Sequence, residues 1–563
     1  MCYLGIYHML ENQLKNIFSL IKKNQLDEAE KLTLILLGTD KKNIHIENVL
    51  AIILACRKEY SKAIKILNNI LKREPNFMDS IINLANIHRD LRNYSLSILY
   101  YNKYIQIGKK TPAILFELAK TFDLDAKHSE AEKLYREILS SNNEITVLVE
   151  LYKNQIFLNK LEQAIKILSI LEENNYNFFE LLILKSLLEI KKSNFNSAEK
   201  FLLDAKKINP NSDKIYSNLG SIYSLKGDHK NAIINFKKNI DLIDDSNSKY
   251  NLSLSNLSLG LFEEGWKYYL YRSARINLLN SLQNKIIWKG KKFEGVLIIH
   301  AEQGVGEEII FSSIFNDVLN LQKQITITCD ERFLKLFKRS FPKISFITKN
   351  KFNNFLNSHN HQNIFAGDLG QFFRKKIEDF KNDSWIVANL KLIQKYNKLI
   401  KKNKKFKIGI GWTSFSNQNN LPYKDRTISL NNISNLFPED KFDLINLQYG
   451  DIHTDIKKLK HDNNRDISFF DFIDYTNDLD DLAAIMLNCD LVISPGSFTS
   501  SFAASLGVKT LVMVPTNFGW CWSTQIDNKS IWFPSAKIFI QKTKDNWSDI
   551  LKELKKEIDQ YFI

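Results

Sequence analysis

Asp213–Ser246 reads DKIYSNLGSIYSLKGDHKNAIINFKKNIDLIDDS, and it is one period of a repeat that runs through the first half of the chain. Small residues recur at Ala29, Ala63, Ser97, Ala131, Ala164, Ala198 and Ala232, 34 residues apart with a single interval of 33. Leu50-Ala51, Leu84-Ala85, Leu118-Ala119 and Leu219-Gly220 keep step at a second offset, and Pro75 and Pro210 fall near the end of their units. A period of this length is the signature of stacked supersecondary units, each burying its apolar face against its neighbours.

Tyr216, Leu219, Gly220, Tyr223, Gly227, Ala232 and Phe236 stand at the signature offsets of the tetratricopeptide repeat, which the array resembles. The resemblance implies antiparallel helix pairs whose small residues lie where the two helices touch, since a larger side chain there would push them apart. It also implies a groove that holds peptides or protein partners. Asn83, Asn86 and Asn218 would face that groove, where an amide can bind an extended backbone; Val49, Glu117, Glu150 and Leu184 hold the same offset elsewhere, so the ladder is partial. A partial eighth unit, Asn251 to Arg272, carries Trp266 where the small residue belongs. Two readings follow: a cap that docks the array on the next domain, or a bulky variant of an ordinary repeat.

The bulk composition narrows the class. At 563 residues, 44% hydrophobic and 25% charged, the chain is globular and too long for one core. No apolar run reaches the roughly 18 residues of a membrane span. The start lacks a basic stretch followed by an apolar core, and the five cysteines form no CxxC pair, so a cytoplasmic protein without structural zinc is expected. The net charge of +15 is lysine spread along the chain, without a nucleic-acid motif, and no nucleic-acid partner is expected. The densest run, Lys401-Lys402-Asn403-Lys404-Lys405, reads as a solvated linker or as an anion site.

From Lys285 the period changes. Buried-strand runs are predicted at Val296–Ile299, Ile325–Thr328, Ile344–Ile347 and Ile364–Phe365, with an apolar helix over Ile309–Leu321. After a polar helix, Asn389–Lys402, further strands are predicted at Lys407–Trp412, Asp443–Leu447, Leu491–Ser494, Thr510–Val514 and Lys537–Ile540, and a last helix over Asp545–Tyr561. Alternating strand and helix predicts parallel sheets, with ligands at the carboxyl ends of their strands. Asp490–Gly507, DLVISPGSFTSSFAASLG, is a strand, a Gly/Ser turn and a small-residue helix, a start that suits phosphate or another anion.

HAEQGVGEEIIF (His300–Phe311), IGIGWTS (Ile408–Ser414), KDRTISL (Lys424–Leu430), NLQYGD (Asn446–Asp451), NDLDDLAAIMLNCDLVIS (Asn477–Ser494) and WFPSAKIF (Trp532–Phe539) resemble bacterial tetratricopeptide glycosyltransferases. Their catalytic half is similar to the heptosyltransferase group, glycosyltransferase family nine, and the layout resembles protein O-GlcNAc transferases. The resemblance implies an α + α/β chain, with an N-terminal tetratricopeptide α-solenoid (1–284) followed by a GT-B fold of two Rossmann-like doubly wound lobes. These would be an acceptor lobe (285–403) and a donor-nucleotide lobe (404–563). It further implies a nucleotide-sugar donor, a protein acceptor brought by the repeats, and no metal or other cofactor.

Transfer of the sugar needs a base for the acceptor hydroxyl and cationic or backbone groups for the leaving diphosphate. Glu307, with Glu308 second, stands where the resembled group has its proposed Asp base; the alternative is a Glu that stabilises its helix start. Gly304 and Gly306 would allow close approach of the loop to a substrate, or serve as turn glycines. Arg426, with Lys424 second, suits the diphosphate. Trp412, Thr413 and Ser414 end a strand facing the cleft, and Gln448 and Tyr449 would contact the base. Gly496, Ser497, Thr499, Ser500 and Ser501 form the donor-phosphate turn. Here the chain departs from the resembled pattern, with Gly496-Ser497 for Asp-Thr and Ser501 for a His. A catalytically silent scaffold is therefore the alternative function. His300 reads as a core histidine or a ligand contact. Asp478-Leu479-Asp480 spells a metal-site DxD but opens an apolar helix, so Asn477 or Asp478 is expected as an N-cap.

Overall fold

The computed structural model describes residues 2–560 apart from 109, 142–143, 283–285, 303, 350–359, 382, 401, 416–423, 524–527 and 545; side chains are described from residue 12, except at 280, 281 and 424. The chain divides into two compact units, Met1–Asn209 and Pro210–Ile563.

The first unit is built of helix pairs. The second helices, Leu26–Thr39, Tyr60–Arg73, Tyr94–Ile107, His128–Ser141, Leu161–Glu173 and Phe195–Ile208, each carry their small residue at the fourth position. Ala29, Ala63, Ser97, Ala131, Ala164 and Ala198 are all fully buried. The one hydroxyl in this series is satisfied, because Ser97 Oγ donates to Ala85 O of the preceding helix at 2.7 Å.

Tight turns join the helices of a pair, and each holds one residue in the left-handed region. Asn24, Lys58, Arg92, Ala126, Asn159 and Ser193 occupy that position with φ between 58° and 64°, and Gly227 and Gly260 continue the series in the second unit. A side chain with Cβ costs about 1–2 kcal/mol in this conformation, partly offset by the entropy glycine loses on folding. Ala126→Gly (φ 58°) is therefore expected to stabilise its unit by about 0.5–1 kcal/mol, read as a rise in its denaturation midpoint.

The second unit begins with the pair Asp213–Leu225 and His229–Leu242, where Ala232 is again fully buried. Ser246–Ser258 and Phe262–Tyr269 follow, then a short helix, Ser273–Ser281. Two all-parallel sheets complete the unit, giving an α + α/β chain. The first contains β1 (Val296–His300), β2 (Ile325–Cys329), β3 (Ser345–Thr348) and β4 (His361–Phe365), in the order β3-β2-β1-β4. The second contains β5 (Phe406–Ile410), β6 (Phe442–Asn446), β7 (Leu491–Pro495), β8 (Thr510–Val514) and β9 (Ala536–Ile540), in the order β6-β5-β7-β8-β9. Period-two alternation covers both faces of this sheet: Leu491, Ile493, Leu511 and Met513 join one apolar cluster, and Val492, Val512 and Val514 join another. In each sheet the strand order reverses direction beside the first strand, between β1 and β4 and between β5 and β7. Crevices that take ligands open at such points.

The continuous helix expected over Ile309–Leu321 is corrected to two, Val305–Ser312 and Phe315–Leu321. Ser312 Oγ and Ser313 Oγ donate back to Ile309 O and Ile310 O, both at 2.7 Å, and Arg374 Nη2 takes Ser313 O at 3.0 Å, so the ladder stops there. The helix His453–Asn463 has no counterpart among the expected elements.

The small residue of this pair is corrected to Gly265, the fourth position of Phe262–Tyr269, where a Cβ would lie 2.5 Å from Leu257; Trp266 next to it packs on the α/β part of the second unit. Its indole is buried against Tyr269, Trp520 and Trp532, and Nε1 donates to Arg374 O at 2.7 Å. Gly370 provides the room, since a Cβ there would lie 2.5 Å from the indole. Among the described residues no helix is long and apolar enough to cross a membrane.

Candidate functional site

A cavity of about 700 Å³ lies where the carboxyl ends of the two sheets meet, within the size range of small-molecule sites. One wall is the turn after β1 and the helix that follows it. Gly304 caps the helix Val305–Ser312, and Glu307 on its first turn lines the cavity together with Gly304 and Gly306. The backbone N–H groups of Glu307 itself and of Gly304 favour its charged form, and the helix start carries no side-chain cap bond. Glu307 is thus both on the first turn of its helix and on the cavity wall. Burial pushes its carboxyl above the usual range, those N–H groups oppose the shift, and the Glu302 and Glu308 charges add to it. A Cβ at Gly306 would meet nothing within 4 Å, so a side chain there would enter open space.

Glu308 does not share this position. It is buried away from the cavity, accepts from the Asp330 N–H at 2.9 Å and pairs with Lys349 Nζ at 2.8 Å. The helix turns successive side chains by about 100°, so only one of the two carboxylates can face the cleft.

The opposite wall comes from the second sheet. Ser414 and Phe415 after β5, Tyr449 and Gly450 after β6, and Gly496, Ser497 and Ser501 after β7 line the cavity, as does the half-buried Arg426. Gly496 is required by close packing, since a Cβ would lie 2.9 Å from the Trp522 Nε1. The short helix Lys424–Arg426 lies in the expected polar loop; the Lys424 side chain and residues 416–423 fall outside the described residues.

Other candidates hold the wall together from behind. Gln448 is buried, and its Oε1 accepts from the N–H groups of both Trp412 and Thr413 at 2.9 Å, while Nε2 donates to Tyr449 O at 3.0 Å. It clamps two strand ends and does not line the cavity. Trp412 donates from Nε1 to Asp455 Oδ2 at 2.7 Å, and Thr413 Oγ1 shares a hydrogen bond with Thr427 Oγ1 at 2.6 Å. In the turn, the Ser497 N–H donates to Ser500 Oγ at 2.9 Å, and Ser500 Oγ lies 2.9 Å from both Pro495 O and Ser497 O. Ser500 is therefore a cap. Thr499 is buried off the cavity beside Gly411. Ser501 Oγ donates to Ser497 O at 3.2 Å.

His300 is a core residue: its Nε2 lies 2.9 Å from Asn363 Oδ1, and burial pushes its pKa down to about 4, so the ring is neutral near pH 7. Asp478 occupies the N-cap position of Leu479–Met486 without a side-chain bond to that helix; its Oδ2 accepts from the Asp474 N–H at 2.9 Å instead. Asp480 is paired with Arg339. Among the described residues no group of three or more His, Cys, Asp or Glu is arranged to hold a metal ion.

Sequence reasoning missed several lining residues. Asp330 and Arg332 face the cavity from the turn after β2 as a bidentate pair at 2.8 and 2.9 Å, and Arg332 Nη1 reaches Thr476 O at 3.4 Å. Strand-end position after β2 was the available signal. Cys521 and Trp522 line the floor from a loop that no motif marked. Burial, with Glu307 next, pushes the Cys521 thiol up to about 12 while Arg426 opposes it, so carboxylate, thiol and guanidinium converge here.

In the first unit the Asn83 and Asn86 amides each have one polar atom engaged internally. Asn83 Nδ2 donates to Asn48 Oδ1 at 3.1 Å, and Asn86 Oδ1 accepts from Tyr101 OH at 2.6 Å. Asn218, in the second unit, is half-buried on Asp213–Leu225.

Residues 213–245 match the family model described as tetratricopeptide repeat. The chain is 24% identical over 310 residues to protein FlbA of Caulobacter vibrioides, a match covering 52% of this chain and 51% of FlbA. It thus spans about half the length of that curated relative. Among solved structures it is similar to a tetratricopeptide repeat protein from Parabacteroides merdae, at 14% identity and TM-score 0.40, over 44% of this chain and 98% of that one. It is also similar to a thermophilic TPR protein of Thermus thermophilus, at 18% identity and TM-score 0.27, over 31% of this chain and 93% of that one. The matched helical region is a tetratricopeptide-like array, the kind of scaffold that binds other proteins.

Proposed function

We propose that the protein is a glycosyltransferase that moves a sugar from a nucleotide-sugar donor, bound in the cleft, to a protein acceptor recruited by the repeats. The observation that carries this reading is the convergence of Glu307 on one wall with Arg426 and the Gly496–Ser497 turn on the other. The motifs that resemble the heptosyltransferase group, and through them a GT-B arrangement, add to it. In the proposed reaction Glu307 accepts the proton of the acceptor hydroxyl as its oxygen bonds to the anomeric carbon. The bond from that carbon to the diphosphate breaks, and the departing charge is met by Arg426. A carboxyl raised by burial is a stronger base than one in water.

Calorimetric titration with UDP-, GDP-, ADP- and CMP-linked sugars tests it. One donor is expected to bind, and Arg426→Ala to weaken that binding by about tenfold or more, the loss of a charge-assisted bond to phosphate. No heat with any donor removes the proposal.

One observation favours a silent scaffold as the second reading. Ser501 stands where the resembled family has a His, and its hydroxyl is turned back onto Ser497 O. Donor binding without transfer to any co-expressed protein, followed by intact mass, would select that reading.

A further inference from the structure

Beneath the Glu307 wall lies a buried ionic network whose cations come from the helical segment. Arg272 donates from Nε to Glu302 Oε2 at 2.8 Å and from Nη2 to Glu302 Oε1 at 2.5 Å. The same Nη2 lies 2.8 Å from Asp368 Oδ1, and Arg275 Nε donates to Asp368 Oδ2 at 2.8 Å. The Gly367 N–H gives the Glu302 carboxylate a third donor, to Oε1 at 3.0 Å. The side chains of Arg272, Glu302 and Asp368 are no more than 2% exposed.

Its placement is what matters. Glu302 follows the end of β1 and precedes Gly304, the cap of the Glu307 helix, by two residues. Asp368 lies in the turn Ala366–Leu369 just after β4, so the network ties the two strand ends that flank the reversal point. Gly367 makes room for it, since a Cβ would come within 2.9 Å of the Arg272 guanidinium and of Tyr269. The guanidinium lies over the Tyr269 ring, 4.6 Å from its centroid. Buried ion pairs of this kind commonly add little stability over well-packed apolar residues, so a reason beyond stability is needed. Glu302 is also close enough to Glu307 for its charge to raise the Glu307 carboxyl.

We infer that Arg272 is a positioning residue for Glu307, acting through Glu302, so that the last helical segment supplies part of the cleft. The inference rests on the reading of Glu307 as the cleft base. Arg272 fixes Glu302 in the turn and favours its charged form against the burial that raises its carboxyl; that charge in turn acts on the Glu307 carboxyl.

The test uses the full chain and needs no substrate. Modification of Glu307 by a water-soluble carbodiimide with glycinamide, quantified by peptide mass spectrometry across pH 4–8, reports its protonation, because carbodiimides attack the protonated carboxyl. In Arg272→Met/Glu302→Gln the buried charges are removed together, and Asp368 keeps Arg275. Without the Glu302 charge the Glu307 profile is expected to move to lower pH, with modification at pH 6 falling roughly twofold or more. Glu302→Gln alone is expected to shift it the same way and serves if the double variant does not fold. A folded variant with an unchanged Glu307 profile overturns the inference. The donor titrations separate the two proposals: a shifted profile without donor binding leaves the coupling and removes the transferase, and donor binding with an unshifted profile does the reverse.

Discussion

Trp266→Ala is expected to lower the unfolding free energy of the second unit by about 3–5 kcal/mol. The indole is 1% exposed and is surrounded by Tyr269, Trp520, Trp532 and the backbone of Gly370. Truncation removes that transfer free energy and leaves a cavity that rigid aromatic neighbours cannot fill. It also orphans Arg374 O, which accepts the indole N–H at 2.7 Å. The measurement has a built-in reporter. All eight tryptophans lie between residues 266 and 547, so tryptophan fluorescence in a denaturant titration follows the second unit alone. Trp266→Phe should recover most of the packing and lose the hydrogen bond, worth about 1 kcal/mol. An alanine variant within about 1 kcal/mol of the parent would show that the helical segment is not integral to the α/β core.

Glu307→Gln is expected to move activity and stability in opposite directions. Loss of a general base should cut transfer by about 10²–10⁴-fold. Stability should rise near pH 7 by about 0.5–2 kcal/mol, the usual gain when a site residue held at a cost is replaced. The sign follows from the raised carboxyl, whose first cause is burial. The folded chain binds this proton more tightly than the unfolded chain, so the contribution is most favourable below the unfolded value near 4.5 and is lost as pH rises through the folded value. Glutamine does not titrate. The stability advantage of the variant should therefore be absent near pH 4 and grow towards pH 7. A variant less stable than the parent at pH 7, or an advantage independent of pH, would count against the buried-carboxyl account of this wall.

Repeats and strands were largely legible in the residues because both obey short-range rules. Steric exclusion between paired helices restricts the fourth position of each second helix to a small residue, so the seven small residues announce the array without any tertiary information. Apolar runs such as Leu491–Ile493 and Thr510–Val514 are strands because both faces of their sheet are covered, and a turn of small residues after one of them marks a helix start. The same rules placed Glu307, Gly496 and Ser497 at the carboxyl ends of their strands, where the cleft opens.

What the tertiary structure decided is direction and partnership. Sequence spacing could not say which of the adjacent Glu307 and Glu308 faces the cleft, nor that Gln448 is spent on the N–H groups of Trp412 and Thr413 instead of a ligand. Asp330, Arg332 and Cys521 reach the cavity from loops far apart in the chain, brought together only by the packing of two sheets. The Arg272–Glu302–Asp368 network was equally hidden, because its members lie 30 to 96 residues apart and each alone reads as an ordinary surface charge. Local sterics write the elements into the sequence; the orientation of a polar side chain depends on which distant backbone arrives beside it, and that is settled only when the core closes.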